Sequence, residues 1–180
     1  NSDATIDLFG RLNAEWTSPD GLLIGANVEL SNQRRETESL ETGEIYGFVA
    51  SELGRFEVGR QDGPADVLAF HAPVIALGQV RGDASRYGAA QALLSALDTR
   101  DAFKLIYLSP PINGIRAGIS WSPKFQQNEN AANPRARTIV RDAIELGVQF
   151  QQPVGDWIVG LSGGYATGDA DPITRRADLN

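Results

Sequence analysis

The chain has 180 residues, a formal net charge of −7, 42% hydrophobic residues and no cysteine. That length supports one domain with a sizeable core. The missing cysteines exclude disulfide frameworks, thiolate metal sites and cysteine nucleophiles, and the acidic balance argues against a nucleic-acid partner, which needs a basic face. No apolar run approaches the roughly 18 residues of a membrane helix. That excludes helical spans only, because a membrane-spanning barrel strand needs just about 9–11 residues with every second one apolar.

In chain order, residues 4–17 (ATIDLFGRLNAEWT) place Ile6, Leu8, Gly10, Leu12, Ala14 and Trp16 on one face and Asp7, Phe9, Arg11, Asn13 and Glu15 on the other. This is the period of a strand. Ser18-Pro19-Asp20-Gly21 is a turn, and LLIGANVEL returns with Leu22, Ile24, Ala26, Val28 and Leu30 opposite Gly25, Asn27 and Glu29. A charged loop, Ser31–Gly43, follows. Glu44–Ser51 and Arg55–Arg60 make a second hairpin around Glu52-Leu53-Gly54, expected to put Tyr46, Phe48, Ala50, Phe56 and Val58 on one apolar face.

The connection from Gln61 to Asp101 runs to about 40 residues, where hairpins usually take roughly 2–5. It is too apolar for a linker, with Val67, Leu68, Phe70, Val74, Ile75 and Leu77 close together, and Tyr87–Leu97 suits a short helix. Phe103–Leu108 and Ile115–Ser122 then pair across a turn in which Pro110 and Pro111 end the ladder. Their apolar face carries Leu105, Tyr107, Ile115, Ala117, Ile119 and Trp121. Pro123–Thr138 reads as a polar loop. Arg141–Gln152 and Trp157–Thr167 form the last hairpin, across Pro153-Val154-Gly155-Asp156, and Gly168–Asn180 is a polar tail.

Short and long connections alternate strictly along these eight strands. Up-and-down membrane barrels sort their connections this way, with tight turns on one side and long loops on the other. Trp16, Tyr46, Tyr107, Trp121, Trp157 and Tyr165 border the apolar face, as aromatic girdles do at membrane interfaces. The fold expected is therefore all-β: an antiparallel up-and-down transmembrane β-barrel, one domain over residues 1–180, with residues 61–101 as a long loop sheltered inside it.

No catalytic constellation stands out. Gly160-Leu161-Ser162-Gly163-Gly164 matches G-x-S-x-G, but a nucleophile elbow needs a strand-to-helix turn, and this serine lies in a predicted strand. His71 is the sole histidine, so a histidine pair for a metal is impossible. No helix is expected to follow Gly54, Gly59 and Gly63, so they are not read as a phosphate-binding fingerprint.

The charged residues of the polar face are the functional candidates. Strand parity gives Arg11, Arg55, Lys104, Arg116 and Arg141 with Asp7, Glu15, Glu29, Glu57 and Glu145. The long loop adds Asp62, Asp66, Asp83, Asp98 and Asp101 against Arg81, Arg86 and Arg100. Asp62 and Asp66 beside Gly63 offer hard oxygen ligands that a structural calcium ion could use. No other cofactor is expected.

The runs GRFEVGRQDGPAD, YLSPPINGIRAGISWSP, and RDAIELGVQF followed by GLSGGYATGDAD resemble the general diffusion porins of Gram-negative bacteria, particularly alphaproteobacterial ones. The resemblance covers nearly the whole chain. It implies a non-enzymatic outer-membrane channel for small hydrophilic solutes, built as a trimer of 16-stranded barrels in contact with outer-membrane lipid and lipopolysaccharide. It also implies that the third external loop folds into the lumen, and residues 61–101 occupy that place. The loop acids Asp62, Asp66 and Asp83 are then expected to face basic wall residues drawn from Arg11, Arg55, Lys104 and Arg116. Such porins are roughly twice this length, and an eight-stranded barrel has an interior only wide enough for side chains. The chain is therefore expected to be the N-terminal half of a porin. The other readings are a soluble β-barrel that binds a ligand inside it, and a small closed outer-membrane barrel with an anchoring or adhesive role.

Overall fold

The computed structural model describes residues 9–31, 41–70, 99, 102–128 and 137–172. Eight strands form one antiparallel sheet in which spatial order follows chain order. They are β1 (Phe9–Thr17), β2 (Leu23–Ser31), β3 (Glu41–Ser51), β4 (Gly54–Arg60), β5 (Phe103–Leu108), β6 (Ile115–Asn128), β7 (Arg137–Val154) and β8 (Trp157–Pro172). A single helical turn, α1 (Pro64–Val67), follows β4. Among the described residues β1 and β8 do not pair, so the sheet is open. The expected helix at Tyr87–Leu97 lies outside the described residues, as do His71, Asp83 and Asp7.

The short turns carry the local chemistry that forces them. At the β5–β6 turn, Ile112 and Ile115 exchange backbone hydrogen bonds of 2.8 and 2.9 Å around Asn113-Gly114. Both turn residues have positive φ, 51° and 82°. Asn-Gly is the pair that tolerates this conformation, and its twist matches that of the flanking strands. At the first turn the Ser18 backbone N–H donates to the Leu22 carbonyl, and the Ser18 Oγ accepts from the Leu22 N–H at 3.0 Å.

Two expectations are corrected. Every described residue of the polar stretch Pro123–Thr138 is strand: β6 runs on to Asn128 and β7 begins at Arg137. Here Lys124 pairs with Arg141 and Gln126 with Ile139. Backbone pairing needs no apolar alternation, so a strand with polar side chains reads as loop. Pro123 is tolerated because it lies across from Asp142, at a β-bulge where β7 slips by one residue against β8. Asp142 takes a φ of 47° there, and bulges are among the few sites that accept a proline in a sheet.

The second correction concerns β3. Phe48 pairs with Glu57, and Val49 pairs with Phe56. Register partners share a face, so Tyr46, Phe48 and Ala50 lie on the polar face, and Ile45 and Val49 join Phe56 and Val58 on the apolar one. Phe48 is 5% exposed. Its ring packs over Gly25, and the Arg55 guanidinium stacks on it 3.4 Å from the centroid. An apolar side chain is stable on the polar face because glycine makes room beneath it and a cation covers it.

The two faces of the sheet are inverted relative to a water-soluble protein. Trp16, Phe56 and Leu161 are each at least 60% exposed on the apolar face, and Leu12, Trp157 and Ile119 are exposed with them. Soluble monomers rarely leave so large an apolar surface bare, whereas lipid tails solvate it. The buried side chains of the opposite face include Asn27, Glu57, Lys104, Ser120, Ser122 and Glu145.

Candidate functional site

The polar face is shaped to receive the start of the long loop. Gly118 pairs with Gly147, and Gly147 pairs with Gly164, giving a row of three glycines across β6, β7 and β8. α1 sits on this row. A Cβ at Gly147 would lie 2.1 Å from the Pro64 carbonyl oxygen, one at Gly164 2.5 Å from the Ala65 Cβ, and one at Gly118 2.7 Å from the Pro64 Cβ. Each is closer than carbon atoms approach, so glycine is what lets the backbone of the loop lie against the wall. Leu68, just past the helical turn, completes the seat by packing with Ile106 and Leu108 in a buried apolar cluster. Burying a leucine or isoleucine contributes about 1.5–3 kcal/mol.

Polar contacts then fix the loop at both ends. The Glu145 carboxylate is fully buried. One oxygen accepts from the Ala65 N–H at 2.8 Å, near the start of the loop. The other accepts from the Thr99 N–H at 3.0 Å and the Thr99 hydroxyl at 2.7 Å, near its end. Lys104, fully buried as well, donates to the Thr99 Oγ1 at 2.6 Å. Farther along, the Phe70 N–H donates to the Ser162 Oγ at 2.9 Å, and the Phe70 ring lies over Gly160. The G-x-S-x-G match at Gly160–Gly164 is therefore part of the loop's seat: its serine lies in β8 and holds a backbone amide.

The remaining cations sit at separate registers along the strands. Arg11 is clasped by two carboxylates, Glu29 at 2.7 Å and Glu44 at 3.2 Å. A bulge in β3 opposite Glu29 delivers Glu44 to this cluster, and the Asp62 backbone N–H lies 3.5 Å from Glu44. Arg55 pairs with Glu57. Arg116 lies two residues from Gly118 on the same face, in the row of Gln149 and Ser162. Asp62 and Asp66 are half-buried at the start of the loop, on either side of Gly63 and Pro64. Among the described residues no three histidine, aspartate or glutamate side chains gather as a metal site would need.

Sequence reasoning placed Glu145 on this wall without seeing that it anchors the loop, and it passed over Thr99 and the glycine row altogether. The signal for the row was present. Once the β5–β6 and β7–β8 turns fix the hairpin registers, Gly147 and Gly164 fall opposite one another.

The start of the long loop rests on glycines of the polar face, and the opposite, apolar face is left bare. A family model described as Gram-negative porin matches residues 1–178. Searches of curated proteins and of solved structures found no match. The family match spans nearly the whole chain and agrees with the eight antiparallel strands. The chain belongs to the Gram-negative porin family and is a protein of the bacterial outer membrane.

Proposed function

We propose that the protein forms a water-filled channel through which small hydrophilic solutes and ions pass by passive diffusion, with a mild preference for cations. The observation that carries this reading is the seating of the start of the long loop, with Thr99 near its end, on the polar face while the apolar face stays bare. A soluble barrel would turn its apolar face inward, and a ligand would bind there. A closed barrel of eight strands has room inside for side chains only, which argues for these strands being part of a wider barrel, of about 16 strands in porins. Assembly as a homotrimer in contact with lipid and lipopolysaccharide belongs to the same proposal.

The electrostatics favour cations. Arg11 and Arg55 are offset by adjacent carboxylates, so the wall contributes little net positive potential. The chain's formal charge of −7 and the acids Asp62, Asp66 and Asp83 of the loop then set the sign, as rings of charge do in other pores. Lys104, buried beneath the loop, braces it.

In planar lipid bilayers the purified protein should insert with discrete ohmic conductance steps. Absence of steps, or release of the protein from membranes by carbonate without detergent, would sink the channel reading. The double variant Asp62→Asn/Asp66→Asn should shift the reversal potential in a salt gradient toward lower cation selectivity. An unchanged reversal potential would mean that neither acid faces the ion path.

A further inference from the structure

Asn13, Asn27 and Tyr46 form a row across the polar faces of β1, β2 and β3. α1 rests on β6, β7 and β8, on the far side of β4 and β5 from these strands. Asn27 is buried, and its Nδ2 donates to the Asn13 Oδ1, which fixes the Asn13 carboxamide. Asn13 itself is exposed, and its own Nδ2 donates to no group among the described residues. Tyr46 is half-buried, its ring beside that of Phe48 with 6.5 Å between centroids. Its hydroxyl also has no hydrogen-bond partner among the described residues. Glu15, exposed and two residues from Asn13 on the same face, makes no ion pair or hydrogen bond among them.

The cations on either side of the row are engaged. Toward the long-loop end Arg11 holds Glu29 and Glu44, and toward the short turns Arg55 pairs with Glu57 and covers Phe48. An anion therefore finds no free guanidinium here. What stands accessible is a carboxamide with two N–H donors, a carboxylate that only accepts, and a phenol that does both. A cation would leave the Asn13 donors without acceptors, and an apolar solute would strip water from all three groups. A hydroxyl both donates and accepts, so a ring carrying several hydroxyls meets the three together. The accessible part of the Tyr46 ring adds an apolar surface with a polar tip, which suits the C–H face of such a ring. Neighbouring strands lie about 4.8 Å apart, so the row spans roughly 10 Å, room for one sugar ring.

From this arrangement we propose that Asn13 and Tyr46, with Glu15 beside them and Asn27 as the positioning residue, form a binding subsite for neutral sugars on the polar face. Its part in permeation rests on the channel reading, to which it adds a solute class. The binding itself is separable.

The test uses methyl glucoside and two comparison compounds, the anionic glucuronate and triethylene glycol, which lacks a hydroxylated ring. Binding to the whole protein is read by ligand-observed NMR in a detergent that carries no sugar. Methyl glucoside should bind more tightly than either comparison compound. Asn13→Asp keeps the side chain's shape and the bond from Asn27 but removes the free N–H donors. The dissociation constant for methyl glucoside should rise about three- to tenfold in it, as loss of a hydrogen bond implies. Tyr46→Leu should weaken binding at least as much, and Tyr46→Phe, which keeps the ring, should fall between it and the native protein. Equal methyl glucoside affinity in the native protein, Asn13→Asp and Tyr46→Leu overturns the subsite. Binding of either comparison compound as tight as that of methyl glucoside overturns it too. Bilayer recordings on the same samples keep the two readings apart. Conductance steps without Asn13-dependent sugar binding defeat the subsite alone, and Asn13-dependent sugar binding without steps defeats the channel alone.

Discussion

Gly147→Ala is expected to force the entrance of the long loop off the wall, while the same change at Gly163 should leave the protein as it was. The added methyl at position 147 would sit 2.1 Å from the Pro64 oxygen and 2.5 Å from its carbonyl carbon. Those are backbone atoms, which cannot swing aside as the end of a flexible side chain can. The helical turn must rise by about an ångström or more to restore ordinary contact, and overpacking of this kind costs about 1–3 kcal/mol. Rising means moving into the lumen, so single-channel conductance should fall, and the midpoint of heat unfolding in detergent should drop by a few degrees. Gly163 is next to Gly164 in β8 but points to the opposite face, and nothing lies within 4 Å of where its Cβ would stand. Alanine there should stay within about 0.5 kcal/mol of the native protein. Equal conductance in the two variants would show that the glycine row does not position the loop.

The strands were legible because their two signals are local. Alternation such as Leu12, Ala14 and Trp16 against Arg11, Asn13 and Glu15 follows from the pleat, and Asn113-Gly114 fixes a turn by its own backbone preference. Phe48 misled because hydrophobicity was read as a face. Its place on the polar side depends on Gly25 across the ladder and Arg55 above it, and neither relation exists until β2, β3 and β4 are paired. The ends of β6 and β7 were missed for a related reason: their pairing is carried by the backbone while their side chains are polar. The candidate site was half legible. Parity put Glu145, Lys104 and Arg116 on the right face, but it carries no information about which of them the loop would cover. That depends on where Ala65 and Thr99 come to rest, about 80 and 46 residues from Glu145 along the chain.

Those two contacts make Glu145→Ala the most damaging single change expected in the described chain. One carboxylate holds the start of the long loop through Ala65 and its end through Thr99, so the side chain works as a clasp across both ends. Its removal leaves the two backbone amides and the Thr99 hydroxyl without their acceptor in a buried setting, and each such orphaned group costs about 1–3 kcal/mol. It also removes the carboxylate to which the Thr99 hydroxyl donates while accepting from Lys104, leaving a fully buried ammonium with less to compensate it; breaking buried charge arrangements costs about 3–5 kcal/mol. The loop relieves much of this by detaching and letting water in, so the loss should appear less as global unfolding than as mobility of the loop. Currents through the variant should become noisy, with excursions on both sides of the native level, and protease should cut within residues 61–101 where the native protein resists. Glu145→Gln separates charge from shape. Its amide keeps one acceptor oxygen but turns the other position into a donor facing the Thr99 donors, so it should fall between the native protein and the alanine variant in both measurements. Quiet, native-level currents from Glu145→Ala would mean that the apolar seat formed by Leu68, Ile106 and Leu108 holds the loop without the clasp.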